Sequence, residues 1–322
     1  MKDLVSIIIP SYNRGHLIHE TLESLLEQDY TYWECIIVDD ASTDNTEEVV
    51  RLYQEKDNRI KFFKRPKNRP KGANACRNYG FEKSNGAYIN WFDSDDLMLP
   101  DFISSRLEIL MHKQELHAVI GYAIYFNEDG TEEVIKPENL SSENALYRFV
   151  VSQLFFPTNG PLWRKEFLEN KPLFDESFQK VQDIEFHFRM LLNELHFEFY
   201  QKKALYKMRR AGNRISNKDT LSLEKLQNVL DYHYSTFRNR EAIHLDIKDA
   251  YIDATSKKVL GGFYELMSFK NTLKQRISLF KKNRPKLKEV IANYSLIQKI
   301  QLNLVLILVV LFKKGFKYFV NA

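Results

Sequence analysis

The chain has 322 residues, of which 44% are hydrophobic and 28% are charged, with two cysteines and a formal net charge of +4. A chain of this length holds one large domain or two with an ample core, and its composition excludes a disordered protein. No signal peptide precedes the first predicted strand, so Cys35 and Cys76 are predicted to be free thiols in a reducing cytoplasm.

The charge is distributed unevenly along the chain. Residues 257–322 carry 14 lysines and arginines against only Glu265 and Glu289, whereas residues 1–256 carry 33 basic and 41 acidic side chains. An acidic body joined to a basic C-terminal region predicts that this region contacts an anionic partner.

The N-terminal half alternates between predicted strands and helices. Apolar, β-prone runs predict strands at residues 5–10, 35–38, 60–63 and 88–92. Helical spacing of apolar residues predicts helices at 17–26, after a capping box at 44–47, and at 73–84. This alternation predicts an α/β fold with a Rossmann-like, doubly wound, mostly parallel sheet.

The second half is predicted to be less regular and then helical. The patterns predict, in chain order, a helix at 102–113, a hairpin of strands 118–126 and 132–135, a helix at 183–195, and strands at 197–200 and 205–208. From about residue 221 the pattern is helical almost throughout, which predicts a C-terminal helical extension. We place the domain boundary at residues 216–220.

Three carboxylates, Asp93, Asp95 and Asp96, follow the predicted strand 88–92 within four residues. Like charges this close repel one another unless a cation joins them, and open α/β sheets bind ligands where their strands end. One interpretation is therefore a divalent metal that carries a phosphorylated substrate. The other is a solvated acidic turn that caps the next helix.

The N-terminal half resembles the family 2 glycosyltransferases, whose nucleotide-sugar-binding fold is called GT-A. Four motifs in the order of that family carry the resemblance, namely VSIIIPSYN (5–13), IVDDASTD (37–44), ACRNYG (75–80) and DSDD (93–96). A weaker match at 174–176 and 182–183 extends it. The resemblance implies a GT-A domain at 1–215, with a nucleotide-binding half at 1–100 and an acceptor half at 101–215, followed by a helical, basic region at 216–322.

The first two motifs indicate a nucleotide pocket. Tyr12 offers an aromatic face to the base, and the backbone at Pro10 lines the same pocket. The resemblance implies that Asp40 accepts from a base N–H. Asp39 either shares this site or holds its own loop through backbone N–H groups.

The diphosphate of such a donor requires positive charge. Arg14 and Arg77 could balance it, although Arg77 could instead brace the acidic strand end. The resemblance also places Arg209, Arg210, Asn213 and Ser216 in a basic loop that folds over the donor.

The resemblance assigns Asp96 to a bound Mg²⁺ or Mn²⁺ and Asp95 to the ribose or the metal, while Asp93 orients the others. Hard oxygen ligands without nearby His or Cys favour these two ions over Zn²⁺. The ion would neutralise the leaving nucleotide as a Lewis acid.

Inverting glycosyl transfer also requires one base for the acceptor hydroxyl. The resemblance points to Asp183, and the alternative is that Asp183 merely caps its helix. Many relatives carry Glu where this chain has Gln182, and Glu185 is the second candidate for the base.

The C-terminal region contains nine consecutive apolar residues at 304–312, next to Lys313 and Lys314. This run is short for a spanning helix and fits a helix that lies on an anionic membrane surface. The alternative is a helix that packs against the catalytic domain or a second subunit.

The resulting hypothesis is a metal-dependent, inverting glycosyltransferase that acts in bacterial cell-surface polysaccharide synthesis. Its expected partners are a nucleotide-diphosphate sugar, a UDP-sugar in the first instance, and a glycan or lipid-linked glycan acceptor, with no nucleic acid. The expected location is the cytoplasm, peripheral on the cytoplasmic face of the plasma membrane. The alternatives are a non-catalytic, membrane-associated scaffold and an aspartate-nucleophile phosphatase based on Asp39, in which Ala41 stands where that chemistry needs an acid.

Overall fold

The computed structural model of the chain contains two compact units. It describes residues 3–127, 129–135, 139–210, 221–243 and 245–314. The α/β unit comprises 1–145, 154–177 and 182–214, and the helical unit comprises 146–153, 178–181 and 215–322. The predicted boundary at 216–220 lies outside the described residues, and the domain limits therefore stay a prediction.

The strands of the α/β unit form two sheets. They are β1 (Val5–Ser11), β2 (Trp33–Asp39), β3 (Ile60–Lys64), β4 (Tyr88–Trp91), β5 (Leu97–Met98), β6 (Ala118–Ile120), β7 (Ala123–Phe126), β8 (Glu132–Ile135), β9 (Pro161–Arg164), β10 (Phe197–Phe199) and β11 (Tyr206–Arg209). Seven of them form a sheet in the order β10-β6-β9-β4-β1-β2-β3, and four form a sheet in the order β5-β11-β7-β8. In the larger sheet only the pairs made by β9 are antiparallel, which confirms the mostly parallel α/β prediction.

Helices cover both faces of the larger sheet, so that β1 and β2 are buried along their whole length. The helices are α1 (Ile18–Leu26), α2 (Thr46–Lys56), α3 (Ala73–Lys83), α4 (Ser104–His112), α5 (Ala145–Val150), α6 (Lys165–Leu168) and α7 (Gln182–Leu192). Gly80 lets α3 approach β1 closely, because a Cβ at this position would lie 2.3 Å from Cγ2 of Ile8. Cys35 and Cys76 are buried and free, as predicted.

Two local predictions differ from the structure. The run predicted as one strand at 118–126 is divided at Gly121 between β6 in the larger sheet and β7 in the smaller one, while the hairpin of β7 and β8 is confirmed. The predicted capping box at 44–47 is wrong, because Asn45 occupies the N-cap position of α2. The Asp44 carboxylate instead accepts from the N–H groups of Thr46 (3.0 Å) and Gly15 (3.1 Å).

The helical unit is built on four long helices, α8 (Leu223–Arg238), α9 (Leu245–Ser268), α10 (Leu273–Ile291) and α11 (Leu296–Phe312). Their inward side chains form one apolar core that includes Leu230, Phe263, Val290 and Val309. Capping boxes at Thr272 and Ser295 define where α10 and α11 begin. In the described part of the chain, no helix has the length and the apolar character that crossing a bilayer requires.

Candidate active site

Three neighbouring parallel strands end at one edge of the larger sheet. β1 ends at Ser11, its partner β2 ends at Asp39 directly opposite, and β4 pairs with the other side of β1. The loops that follow, 12–16, 40–45 and 92–96, contain most of the side chains predicted for the site. A doubly wound sheet binds its ligands at such an edge.

The first two of these loops are hydrogen-bonded to each other. Asn13 donates its N–H to Oγ of Ser42 (2.9 Å) and accepts the N–H of Thr43 at its Oδ1 (2.8 Å). The carboxylate of Asp39 accepts the N–H of Ser42 (2.9 Å) and also its hydroxyl. Asp39 therefore has the geometry of the loop-holding alternative, and its buried carboxylate stabilises the 40–45 turn.

Asp40 lies beside this loop and is paired with a cation. Arg65, which directly follows β3, donates from Nε to Oδ1 of Asp40 and from Nη1 to the carbonyl of Arg69 (2.5 Å). The N–H of Asp40 donates to the carbonyl of Ser11 (2.8 Å). Asp40, the carboxylate predicted to accept from a base N–H, is thus held in place by Arg65.

Tyr12 presents its ring to the same edge of the sheet. It is 42% exposed, and the ammonium group of Lys71 lies 3.8 Å from the ring centroid, within cation–π range. Pro10 is buried within β1 opposite Val38. An aromatic face with an ammonium group above it suits a ligand that is flat at one end and anionic at the other.

Arg14 connects the first loop to the acidic loop. Its Nη2 lies 3.3 Å from Oδ2 of Asp95, and its N–H donates to Oγ1 of Thr46 (2.8 Å). Both charged side chains of the pair are partly exposed. Arg14 therefore lies where an anionic ligand next to Asp95 would meet it.

The three carboxylates of the acidic loop have different surroundings. Asp96 is 2% exposed, and its two oxygens accept from the N–H of Arg209 (2.8 Å) and from Nδ2 of Asn159 (2.6 Å). The side chains of Asp93 and Asp95 retain 37% and 18% exposure. Asp95 and Asp96, the two predicted metal ligands, therefore differ in how accessible they are to solvent.

Asp93 and Asp95 are more accessible to a bound ion than Asp96 is. Both oxygens of Asp96 already accept hydrogen bonds from buried protein donors, and the metal-ligand role expected of Asp96 stays a prediction. Within the described ranges, no group of three or more His, Cys, Asp or Glu side chains is arranged to hold a metal. Two partly exposed carboxylates suit an ion that takes its remaining ligands from a diphosphate, as Mg²⁺ and Mn²⁺ do.

Arg77 lies between the acidic loop and α7. Its Nη2 donates to Oδ1 of Asp93 (3.1 Å), and its Nη1 lies 3.3 Å from Oε1 of Gln182. The guanidinium is largely buried and stacks 5.2 Å from the Phe174 ring centroid. The geometry matches the bracing alternative for Arg77.

Asp183 is the second residue of α7, beside the side chain that Arg77 contacts. Its Oδ1 accepts the N–H of Ile184 (2.9 Å), which is a contact within the first helical turn. Burial raises the pKa of Asp183, and the positive charge of Arg77 partly opposes this rise. Glu185, the second candidate, is paired with Arg189 at 2.5 Å.

The basic residues predicted to cover the donor are engaged elsewhere. Arg209 donates to Glu20 (2.7 Å) and to the carbonyl of Asp95 (3.2 Å), and Arg210 pairs with Glu133. Arg209 thus holds the acidic loop in place through the carbonyl of Asp95. Asn213 and Ser216 lie outside the described residues.

Four residues of this constellation were missed from the sequence: Glu20, Arg65, Lys71 and Asn159. A signal existed for two of them, because residues 65–72 read RPKNRPKG, a near-repeat of basic residues after a strand. Asn159 has no such signal, since it is 63 residues away from its partner Asp96 in an irregular segment.

The α/β unit has the GT-A fold. Two solved structures share the fold: TarS of S. aureus in complex with UDP-GlcNAc (TM-score 0.64, 19% identity, 90% of this chain and 80% of that one) and the mannosyltransferase PcManGT of Pyrobaculum calidifontis in complex with GDP-Man and Mn²⁺ (TM-score 0.59, 17% identity, 100% and 84%).

The chain belongs to glycosyl transferase family 2, because the profile of that family matches residues 6–197, more than half of its length. It is 36% identical over 156 residues to a putative teichuronic acid biosynthesis glycosyltransferase, TuaG, of Bacillus subtilis. That alignment covers 48% of this chain and 61% of TuaG, so the chain spans less than two thirds of this relative. Family membership decides between the enzyme classes considered above in favour of glycosyl transfer.

Proposed function

We propose that this chain is a metal-dependent, inverting glycosyltransferase that moves a sugar from a nucleotide-diphosphate sugar to a hydroxyl group of a glycan or lipid-linked glycan. The observation that carries the proposal is the position of Arg77, which joins Asp93 of the acidic loop to Gln182, the neighbour of Asp183. A donor held at the acidic loop would therefore have a carboxylate with a raised pKa nearby.

The donor would bind along the three loops at the sheet edge. Tyr12 would stack on the base, and Asp40, held by Arg65, would accept from a base N–H. Lys71 and Arg14 would provide the positive charge that a diphosphate needs. A UDP-sugar is our first choice, and the UDP-GlcNAc bound by the structural neighbour TarS is consistent with it.

Asp93 and Asp95 would hold Mg²⁺ or Mn²⁺. Asp96 would hold the acidic loop in place through its hydrogen bonds with Asn159 and with the N–H of Arg209. When bound, the ion would neutralise the charge that develops on the departing nucleoside diphosphate. The neighbour PcManGT was solved with Mn²⁺ and a nucleotide sugar, which supports the choice of a divalent ion. Arg77 would keep Asp93 oriented through its hydrogen bond.

Asp183 would act as the base. It would take the proton from the acceptor hydroxyl while that oxygen attacks the anomeric carbon and the nucleoside diphosphate leaves. A pKa raised by burial makes this carboxylate a stronger base than an exposed aspartate. Glu185 is less suited to this role, because it is paired with Arg189.

The acceptor and the setting rest on analogy. The putative role of TuaG in teichuronic acid biosynthesis favours the assembly of a bacterial cell-surface polysaccharide. Such work is expected at the cytoplasmic face of the plasma membrane, with an anionic membrane surface as the peripheral partner.

The test compares two matched variants on the same helix. Asp183→Asn should bind UDP in the presence of Mn²⁺ as wild type does, but should lose at least about a hundredfold in donor turnover, the usual size of a general-base contribution. Glu185→Gln, the control, should remain active. Calorimetry would measure binding, and release of UDP or GDP from a panel of UDP- and GDP-sugars would measure turnover. Equal turnover in wild type and Asp183→Asn would remove Asp183 from the mechanism.

A further inference from the structure

Helix α11 is apolar on two sides. One side packs into the core of the helical unit through Leu302, Val305, Leu306, Val309 and Val310. The opposite side is also apolar and is exposed to solvent. A helix that belonged only to this core would carry polar residues there.

The outward face of α11 consists of seven exposed residues: Leu296, Ile297, Ile300, Leu304, Ile307, Leu308 and Leu311. At about 100° per residue, they fall within a sector of about 120° in which no polar residue intervenes. Ile300 is 56% exposed and Ile307 50%. Soluble monomers rarely leave so continuous an apolar strip uncovered.

Helix α10 lies next to α11 and carries exposed apolar and basic side chains of its own. Arg276 donates to the carbonyls of Val310 (2.6 Å) and Leu311 (3.1 Å), so the start of α10 lies against the end of α11. Leu273 and Ile277 are exposed there. Along the same side of α10, at spacings of three and four residues, follow Lys281, Arg284 and Lys288.

These three cations are exposed, and among the described residues no carboxylate lies within ion-pair distance of them. They belong to the C-terminal region that carries 14 basic residues against two acidic ones. A second copy of the chain docked on this strip through a two-fold axis would bring like charges together. An anionic lipid surface would instead attract them while it covers the apolar side chains.

We propose that the outward face of α11 lies on an anionic bilayer, with Lys281, Arg284 and Lys288 directed at the headgroups. The helix would lie in the plane of the interface, because its other side is held in the protein core. The inference makes specific the membrane partner named under the proposed function and depends on that partner alone, not on sugar transfer. Attachment would confine the enzyme to the surface on which lipid-linked acceptors are found.

Flotation of the full chain with vesicles tests the proposal without any donor sugar. Wild type should float with vesicles of equal parts phosphatidylglycerol and phosphatidylcholine, and weakly with phosphatidylcholine alone. Ile300→Glu/Ile307→Glu should bind the anionic vesicles at least about tenfold more weakly, because two apolar contacts are lost. The control is Gln301→Glu/Asn303→Glu, which adds the same charge to exposed sites on the flanks of the strip and should lose much less.

A second variant separates charge from apolar contact. Lys281→Gln/Arg284→Gln/Lys288→Gln should reduce binding to anionic vesicles and flatten its salt dependence, with no effect on binding to neutral ones. All variants change exposed residues, so their melting temperatures should match that of wild type. The proposal is overturned if wild type stays unbound, if the isoleucine variant binds like its control, or if that variant instead dissolves a dimer seen by light scattering. None of these results depends on whether Asp183 is a base.

Discussion

Asn159 donates from Nδ2 to Oδ2 of Asp96 at 2.6 Å, and its Oδ1 accepts the N–H of Asp93 at 3.0 Å. One fully buried amide therefore fixes both ends of the acidic loop. Behind it, Arg106 donates to the carbonyl of Gly160 (2.6 Å), and Asn90 donates to the carbonyl of Asn159 (3.0 Å). The shape of the loop that would hold the metal is thus set from the interior of the α/β unit.

The first prediction concerns this amide. Asn159→Leu keeps the approximate volume but removes both hydrogen bonds and leaves the Asp96 carboxylate without one of its donors. We expect a loss of about 2–4 kcal/mol in the free energy of unfolding, since a buried charged group is left under-satisfied. Urea denaturation measures this loss. Asn293→Leu, at an exposed helix end, is the control and should change stability by less than about 0.5 kcal/mol.

The second prediction separates the two neighbouring aspartates. Asp95→Asn should abolish the effect of Mn²⁺ on UDP affinity and leave stability nearly unchanged. Asp96→Asn should lower the melting temperature. It replaces one carboxylate oxygen with an NH₂ group, which would then face one of the two donors that Asp96 now accepts from, Asn159 Nδ2 or the N–H of Arg209. Calorimetry with and without Mn²⁺, and thermal unfolding, distinguish the two effects. The reverse pattern would return the metal to Asp96.

The third prediction concerns the raised pKa of Asp183. A raised pKa means that the folded protein favours the protonated form, so this carboxylate stabilises the fold at low pH and loses that contribution as the pH rises through the raised pKa. Asp183→Asn should therefore melt at a higher temperature than wild type at neutral pH. The difference should shrink below the ordinary pKa of aspartate. Thermal unfolding across pH measures it, and a lower melting temperature at neutral pH would contradict the assigned shift.

The same pKa predicts the acid limb of the activity profile. Because the base must be ionised, kcat/KM should fall as the pH decreases through the raised pKa, at a higher pH than for an exposed aspartate. Arg77→Gln would remove the positive charge that opposes the rise, so the acid limb should move to still higher pH. A limb that moves to lower pH, or remains in place, would exclude Asp183 as the titrating base.

The fourth prediction concerns the aromatic face of the nucleotide pocket. Tyr12→Ala should weaken UDP binding by about tenfold, the loss of about 1.4 kcal/mol of stacking. Tyr32→Ala changes a tyrosine of similar exposure on another loop and is the control. Lys71→Met keeps the aliphatic stem but removes the charge, and should weaken the binding of UDP more than the binding of uridine. If uridine and UDP lost affinity equally, Lys71 would not contact the diphosphate.

The parts of this structure that were predictable from the sequence are those that depend on local patterns. Buried strands such as β1 and β2 appear as short apolar runs, and their polar ends had to meet because parallel neighbours align their carboxyl ends. The positions of Asp40 and Asp93 at one edge follow from this regularity, whereas Asp183, on α7, was indicated by the family resemblance.

The rest could not be predicted because it depends on long-range pairings between side chains. The partners of Asp96 are 63 and 113 residues away, and no local pattern marks them. The division of 118–126 between two sheets similarly depends on how β9 enters the larger sheet. The family resemblance assigned different roles to the three acidic side chains, but no sequence pattern showed that Asp96 is buried and hydrogen-bonded at both oxygens.

The close contact of Gly80 with Ile8 has a further consequence. Arg77 lies one turn earlier on the same helix, and its reach to Asp93 depends on how deeply that helix seats against the sheet. A single methyl group at position 80 would lift α3 away from β1 and carry the guanidinium with it. The position of Arg77 therefore depends on the close contact between the Gly80 backbone and the Ile8 side chain. Gly80→Ala is the smallest change that we expect to impair catalysis without altering any group that touches substrate.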